Sequence, residues 1–350
     1  MSHRPKLAAL ALLVCSSALN PAVAQKPTRT LNLYIWSDYI DPSVVKTFEA
    51  QTHSKLRITL FESAEEMVAK LQTGGKGQYD VVCATDYMVP VLTHAGLLRP
   101  LERAKIPNLA HIGGAYLGRP YDPKNAYTVP YMFATLGLGY RKDVLKAPKA
   151  TWGLIFDPQQ QPGAFSLLDS QRELLGAALR YLGRDLNSTR PRDLADAVGL
   201  LEGAKKRARS LDATVATRNK LMSKEIVVGM LYGGDLDKGA QEDKNLGYLL
   251  PLEGSVIQMD TLTVASSSQN PELAQQFINF LLEPKMNAQN AQFIRYPTPN
   301  LDAQKLLPRA LLENTALYPN ALQLRTLEPF KQLGNAQRIL DEAWTRFKSR

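Results

Sequence analysis

The chain has 350 residues, 45% of them hydrophobic, a formal net charge of +9 and two cysteines. That is long enough for two domains of ordinary size and too poor in cysteine for a disulfide framework. The basic excess points first to acidic partners, but the basic residues are scattered. Their densest run, Lys205-Lys206-Arg207-Ala208-Arg209, falls on a predicted helix with nothing around it that resembles a nucleic-acid module, so it reads as a solvated face.

The first element is a signal peptide. Met1 to Lys6 is basic, Leu7 to Cys15 is apolar, and Ala22-Val23-Ala24 is a small-x-small cleavage site before Gln25. The apolar run is too short for a membrane span. Val14 makes Cys15 a poor lipoprotein site, so cleavage is expected after Ala24 and the mature chain is expected to be exported. Arg4 and Lys6 leave with the signal, and Cys83, in the apolar run Asp80 to Ala84, reads as a buried small hydrophobe.

Leu31, Leu33 and Ile35 alternate on a first strand. Trp36-Ser37-Asp38-Tyr39 then occupies the loop at its carboxyl end, where open α/β sheets bind ligands. Asp41 caps the helix that follows and Pro42 takes its first position. Lys55 to Glu62 is a second strand. Ser63 and Glu66 form a capping box ahead of a short helix, and Gly74-Gly75-Lys76-Gly77 lacks the Gly-Lys-Ser/Thr ending of a phosphate loop and reads as a turn. Asp80 to Ala84 is a buried strand, followed by Thr85-Asp86-Tyr87 and a helix ending at Gly96. This alternation is the βαβ signature of a parallel sheet with covered faces.

Residues 100–125 read as loop, and residues 127–140 as a strand leaving one lobe for another. Helices are expected near 173–182, 191–209 and 217–224, with strands at 226–232, 246–251 and 261–265. Leu273, Phe277, Ile278, Leu281 and Leu282 mark an amphipathic helix over 271–282, and the tail from Asp302 reads as mostly helical.

Familiar catalytic constellations are missing from this pattern. The four histidines have no ligand spacing, and there is neither a Gly-x-Ser-x-Gly elbow nor a dinucleotide fingerprint. What recurs is a carboxylate or aromatic just after a predicted strand: Trp36/Asp38/Tyr39, Asp86/Tyr87, Tyr232/Asp235 and Met259/Asp260. Any single one of these acids reads as well as a helix cap. Together, facing one cleft, they would repel each other unless a cation sat between them, which suits a receptor for an organic cation. Neither a cofactor nor a metal is expected.

Six segments resemble the periplasmic spermidine/putrescine-binding proteins of ABC transporters. They are Trp36 to Tyr39, Tyr79 to Val82, Tyr131 to Gly137, Tyr181 to Gly183, Asn279 to Pro284 and Tyr296 to Leu301, and they run in order over essentially the whole mature chain. The resemblance implies an α/β fold of the two-lobed periplasmic-binding-protein type II. Each lobe is then a mixed, mostly parallel sheet flanked by helices, with the ligand in the cleft between them. The first lobe would comprise residues 25–134 plus 252–301, and the second 135–251 plus 302–350.

Carried over by position, Trp36, Ser37, Asp38 and Tyr39 match the family's first binding loop. Glu173 matches an acidic contact, although Ser170-Gln171-Arg172-Glu173 also reads as a capping box. Asp235 matches an aspartate of the putrescine-type proteins, Asp260 the central ammonium-binding aspartate, and Tyr296 and Tyr318 site tyrosines. Four positions depart from the pattern. Ala84 replaces a serine, Asp86 a serine or tyrosine, Tyr232 a tryptophan, and Gln258 a stacking aromatic. The implied function is non-enzymatic: a periplasmic monomer that captures a polyamine and delivers it to an inner-membrane ABC permease and its ATPase. Alternative readings are a receptor for an ω-amino acid or other substituted alkylamine, and a polyamine-sensing subunit of a membrane signalling system.

Overall fold

A computed structural model describes residues 29–73 and 77–349. The signal peptide, its cleavage site and residues 74–76 of the glycine-rich turn lie outside the described residues. The strands in chain order are β1 (Arg29–Trp36), β2 (Ser54–Phe61), β3 (Val81–Thr85), β4 (Leu98–Arg99), β5 (Thr128–Arg141), β6 (Phe165–Leu168), β7 (Ser210–Asp212), β8 (Val228–Tyr232), β9 (Leu246–Leu249), β10 (Ser255–Ala265) and β11 (Leu327–Glu328). Among the described residues they join in one continuous sheet in the order β2-β1-β3-β10-β5-β8-β6-β7, with β4 and β11 on β10 and β9 on β5.

Two parallel sets sit at the ends of this order. β1 runs parallel to β2 and β3, and β6 runs parallel to β7 and β8. Antiparallel β5 and β10 join them in the middle, and both are long because they serve both lobes. β10 pairs with β3 through Asp260 to Val264 and with β5 through Ile257 to Thr263, while the far end of β5 pairs with β8 and β9. The β5–β10 register slips between Asp260 and Thr261, where Met132 and Pro130 are the successive partners. Pro130 has no N–H to give the ladder, so the sheet takes a bulge at Tyr131.

Burial follows the two sets. Leu31, Leu33, Ile35, Val44, Phe48, Val81, Val129, Leu262 and Phe277 belong to one core. Leu136, Trp152, Phe165, Leu175, Val228, Leu340 and Phe347 belong to another. Ala303, Leu307, Leu311 and Leu317 pack in the first core. The Pro271–Leu281 helix buries Leu273, Phe277, Ile278 and Leu281, the stripe its spacing predicts.

Several elements differ from the sequence reading. β10 begins at Ser255 rather than Thr261, because its first half, with Gln258 and Asp260 pointing one way, lacks a simple apolar alternation. β6 is four residues long and was hidden behind Gln161-Pro162-Gly163. A helix spans Gly233–Glu242, where two opening glycines argue against one. Their reason is close approach: a Cβ on Gly233 would lie 2.1 Å from the Ala316 carbonyl oxygen, and one on Gly234 would lie 2.2 Å from the Tyr296 ring.

Candidate ligand-binding site

β1 ends at Trp36, and the chain turns through Ser37 and Asp38 before entering the Pro42–Thr52 helix. The Asp41 side chain caps that helix by accepting from the Ser43 N–H. Distant partners fix the loop between: Asn290 accepts from the Asp41 N–H at 2.8 Å, and the Tyr131 hydroxyl donates to the Tyr39 carbonyl at 3.1 Å. The aromatics of this loop are therefore held before any ligand arrives, which limits the ordering cost of binding.

Trp36 and Tyr39 converge on Asp260. The Tyr39 hydroxyl donates to Oδ2 at 2.7 Å and the Trp36 indole N–H to Oδ1 at 3.3 Å. Burial raises the Asp260 carboxyl to about 6, against these two donors, and Glu173 adds repulsion. On the opposite side the Tyr296 hydroxyl donates to Asp235 at 3.0 Å and its ring meets Tyr39 edge-on at 4.8 Å. Burial also raises the Asp235 carboxyl, against donation from Thr214 and the positive charge of Arg218.

Glu173 enters from the first turn of the Gln171–Tyr181 helix. Ser170 makes no side-chain cap to the backbone there, and its hydroxyl donates to Glu173 instead, so the capping box is not formed. The Tyr232 hydroxyl stands 3.0 Å from Glu173 Oε1 and 2.6 Å from Gln258 Oε1. One hydroxyl proton cannot serve both acceptors at once. Donation to the Glu173 carboxylate leaves the Gln258 amide turned to donate to Tyr232.

These groups surround a cleft of about 70 Å³. On a scale where one water needs about 10–15 Å³, that is a narrow slot for a thin chain of a few heavy atoms. Trp36, Ser37, Tyr39, Glu173, Tyr232, Asp235, Gln258, Asp260 and Tyr296 line it as the sequence predicts, together with Glu62, Asp169, Ser170 and Thr214. Glu62, which accepts from Ser37 at 2.5 Å, and Asp169 follow directly on β2 and β6. The rule that picked out the other acids reaches Glu62, at the end of a predicted strand, but not Asp169, because β6 is not legible in the sequence. The lining holds five carboxylates and no lysine, arginine or histidine. Asp260, Glu173 and Asp235 form no ion pair among the described residues.

Three predicted residues do not line this cleft. Asp38 takes a left-handed backbone, φ 57, and its carboxylate meets Arg218 and Lys238, each at 3.2 Å. Burial opposes its ionisation, but Lys238 and then Arg218 hold the carboxyl below its ordinary value. Asp86 is buried beside the cleft, accepting from the Tyr87 N–H at 2.8 Å and the Met259 N–H at 3.2 Å. Tyr318 accepts from the Thr298 N–H at 3.3 Å and packs edge-on against Phe133, behind the site.

Two α/β lobes crossed by paired strands, with an acidic slot between strand ends, define a two-lobed binding protein with a cleft sized for a small ligand. A model of the family described as bacterial extracellular solute-binding protein matches residues 43–319. The spermidine/putrescine-binding periplasmic protein of Escherichia coli strain K12 is 31% identical over 321 residues, covering 91% of this chain and 92% of the relative. A putrescine/cadaverine-binding protein of Pseudomonas aeruginosa is 32% identical over 357 residues, covering 97% and 99%. A solved structure titled as a putative spermidine/putrescine ABC transporter from Listeria monocytogenes superposes with a TM-score of 0.86 at 31% identity, covering 92% of this chain and 99% of that one. The chain belongs to the bacterial extracellular solute-binding protein family.

Proposed function

We propose that this protein captures a polyamine in the periplasm and hands it to an ABC permease and its ATPase in the inner membrane, acting as a monomer exported by a signal peptide cleaved after Ala24. The observation that carries the ligand class is the cleft lining, with five carboxylates and no basic side chain. A slot of that charge attracts a cation and repels an anion. Asp260, held by Tyr39 and Trp36, takes one ammonium, and Glu173 takes another. The rings of Trp36, Tyr232 and Tyr296 wall the methylenes between them. An ω-amino acid is disfavoured, since its carboxylate would meet acids with no positive partner.

The hinge is the pair β5 and β10, crossed near Thr135 and Leu252. This gives lobes of residues 25–134 plus 252–318 and of 135–251 plus the rest of the tail. The packing of Ala303, Leu307, Leu311 and Leu317 supports placing the last crossing after Tyr318 rather than after Leu301.

Titration calorimetry of the mature chain against putrescine, cadaverine, spermidine and γ-aminobutyrate tests the reading. Saturable binding of at least one amine, and none of γ-aminobutyrate, is expected. Binding of the amino acid alone overturns it.

A further inference from the structure

The two lobes drawn above also touch along a seam outside the cleft. Ala64 opens the Ala64–Thr73 helix and Tyr87 follows β3, so both belong to the first lobe, yet both are buried in the core of the second. Tyr87 meets Phe330 edge-on at 5.3 Å. The Arg172 guanidinium covers both rings, 5.4 Å from Tyr87 and 4.6 Å from Phe330. Its N–H groups donate to the Lys331 carbonyl at 3.2 Å and to Asn187 at 2.8 Å, all within the second lobe. Arg172 is 3% exposed and forms no ion pair among the described residues. Glu65 stands beside it from the first lobe. Its Oε1 and the Tyr87 hydroxyl are both buried with no hydrogen-bond partner. Facing Glu65 are Arg172 and Glu173 from the Gln171–Tyr181 helix, Asp341 from the Gln337–Ser349 helix, and Tyr87. Burial raises the Glu65 carboxyl to about 7, Glu173 and Asp341 add repulsion, and Arg172 opposes them. A crevice of about 270 Å³, lined by Glu65, Tyr87, Arg172 and the exposed Asp341, among others, joins the seam to solvent. Successive residues of one helix thus face two ways, Glu173 toward the cleft and Arg172 toward the other lobe.

We propose that Glu65 and Arg172 are a proton-linked latch between the lobes. An ammonium captured at Glu173 relieves the repulsion across the seam, Glu65 gives up its proton to solvent through the crevice, and its carboxylate then holds Arg172 from the opposite lobe. This rests on the amine reading above. Arg172 acts on the ligand only through Glu173 and the closed lobes, so it is a positioning residue. In the empty protein part of Glu65 stays protonated at neutral pH, and the seam is held by the aromatic contacts of Tyr87 and Phe330.

Calorimetry of the mature chain with putrescine and with spermidine at pH 7, in two buffers of different ionisation enthalpy, counts the protons released on binding. Wild type should release about half a proton per amine from Glu65 and about a tenth from Asp260, the fractions that carboxyls at about 7 and about 6 hold there. Glu65→Gln, which keeps the shape of the side chain, should release only the tenth. Arg172→Met keeps apolar packing against the two rings and removes the charge, so stopped-flow should show the amine leaving about two- to thirtyfold faster. A merely structural role for either residue would lower the melting temperature and leave the proton count unchanged. An equal proton count in wild type and Glu65→Gln, or an unchanged dissociation rate in Arg172→Met, overturns the latch while leaving the cleft reading intact. If neither amine binds wild type, both readings fall. Should Arg172→Met lose its cooperative melt, the proton count of Glu65→Gln decides alone.

Discussion

At the scale of single residues, Asp260 is the group on which the proposed amine binding turns. Two neutral donors hold its carboxylate, no cation does among the described residues, and it is buried. Asp260→Asn keeps the shape and removes the charge. The loss expected is about a hundredfold or more in Kd, with an unchanged circular dichroism spectrum. The pH dependence has two opposite signs. In the empty protein, the raised carboxyl contributes stability that is present below its ordinary value near 3.8 and lost as pH rises through about 6. An ammonium needs the ionised form, so affinity runs the other way. With a carboxyl at about 6, Kd should be about tenfold higher at pH 5 than at pH 7. Calorimetry at the two pH values reads this, and a flat profile would assign the ammonium elsewhere. Glu173→Gln should cost affinity more than melting temperature, because the helix it opens draws no cap from it. Gln258→Phe replaces an amide by a ring against the methylenes. It should tighten putrescine by a cation–π or stacking increment of about 0.5–2 kcal/mol.

At the scale of elements, the Gly233–Glu242 helix carries Asp235 into the cleft because its start lies against Tyr296 and Ala316. Gly234→Ala would drive a methyl into the Tyr296 ring. That ring can move only by giving up its 3.0 Å bond to Asp235 and its edge contact with Tyr39. Overpacking of this kind costs about 1–3 kcal/mol, so a lower melting temperature and weaker amine binding should appear together. A normal melt with normal affinity would show that the helix start has room to shift.

For the whole molecule, Asp38 is the residue whose role the fold changes. It sits on the loop after β1, and its partners Arg218 and Lys238 lie on the Thr214–Met222 and Gly233–Glu242 helices, which belong with β8. The pair therefore ties one lobe to the other. The carboxylate is 44% exposed, so solvent screens it and its contribution is small. Asp38→Asn should raise the amine dissociation rate while costing less than about tenfold in Kd, well below Asp260→Asn. Stopped-flow fluorescence of the tryptophans reads the rate. A loss equal to that of Asp260→Asn would return Asp38 to the ligand.

The sequence by itself determined the three strands that open the first lobe, the helix caps at Asp41 and Ser63, and the habit of placing acids and aromatics after strands. Those signals are local: side-chain alternation, a capping residue, a proline at a first turn. Together with a resemblance carried in short motifs, which supplied the class, they picked out the loop after β1 and nine of the residues that line the cleft. Only the tertiary structure decided which acids face the cleft. Asp38, Asp86 and Asp260 look alike along the chain, yet one meets cations 180 and 200 positions away, one meets a backbone N–H 173 positions away, and one is left without a cation. Their directions depend on the register of β10 against β3 and β5, on the bulge at Tyr131, and on a left-handed turn at Asp38. Contacts between residues so far apart in sequence are set by packing of the whole chain, and no local pattern encodes them.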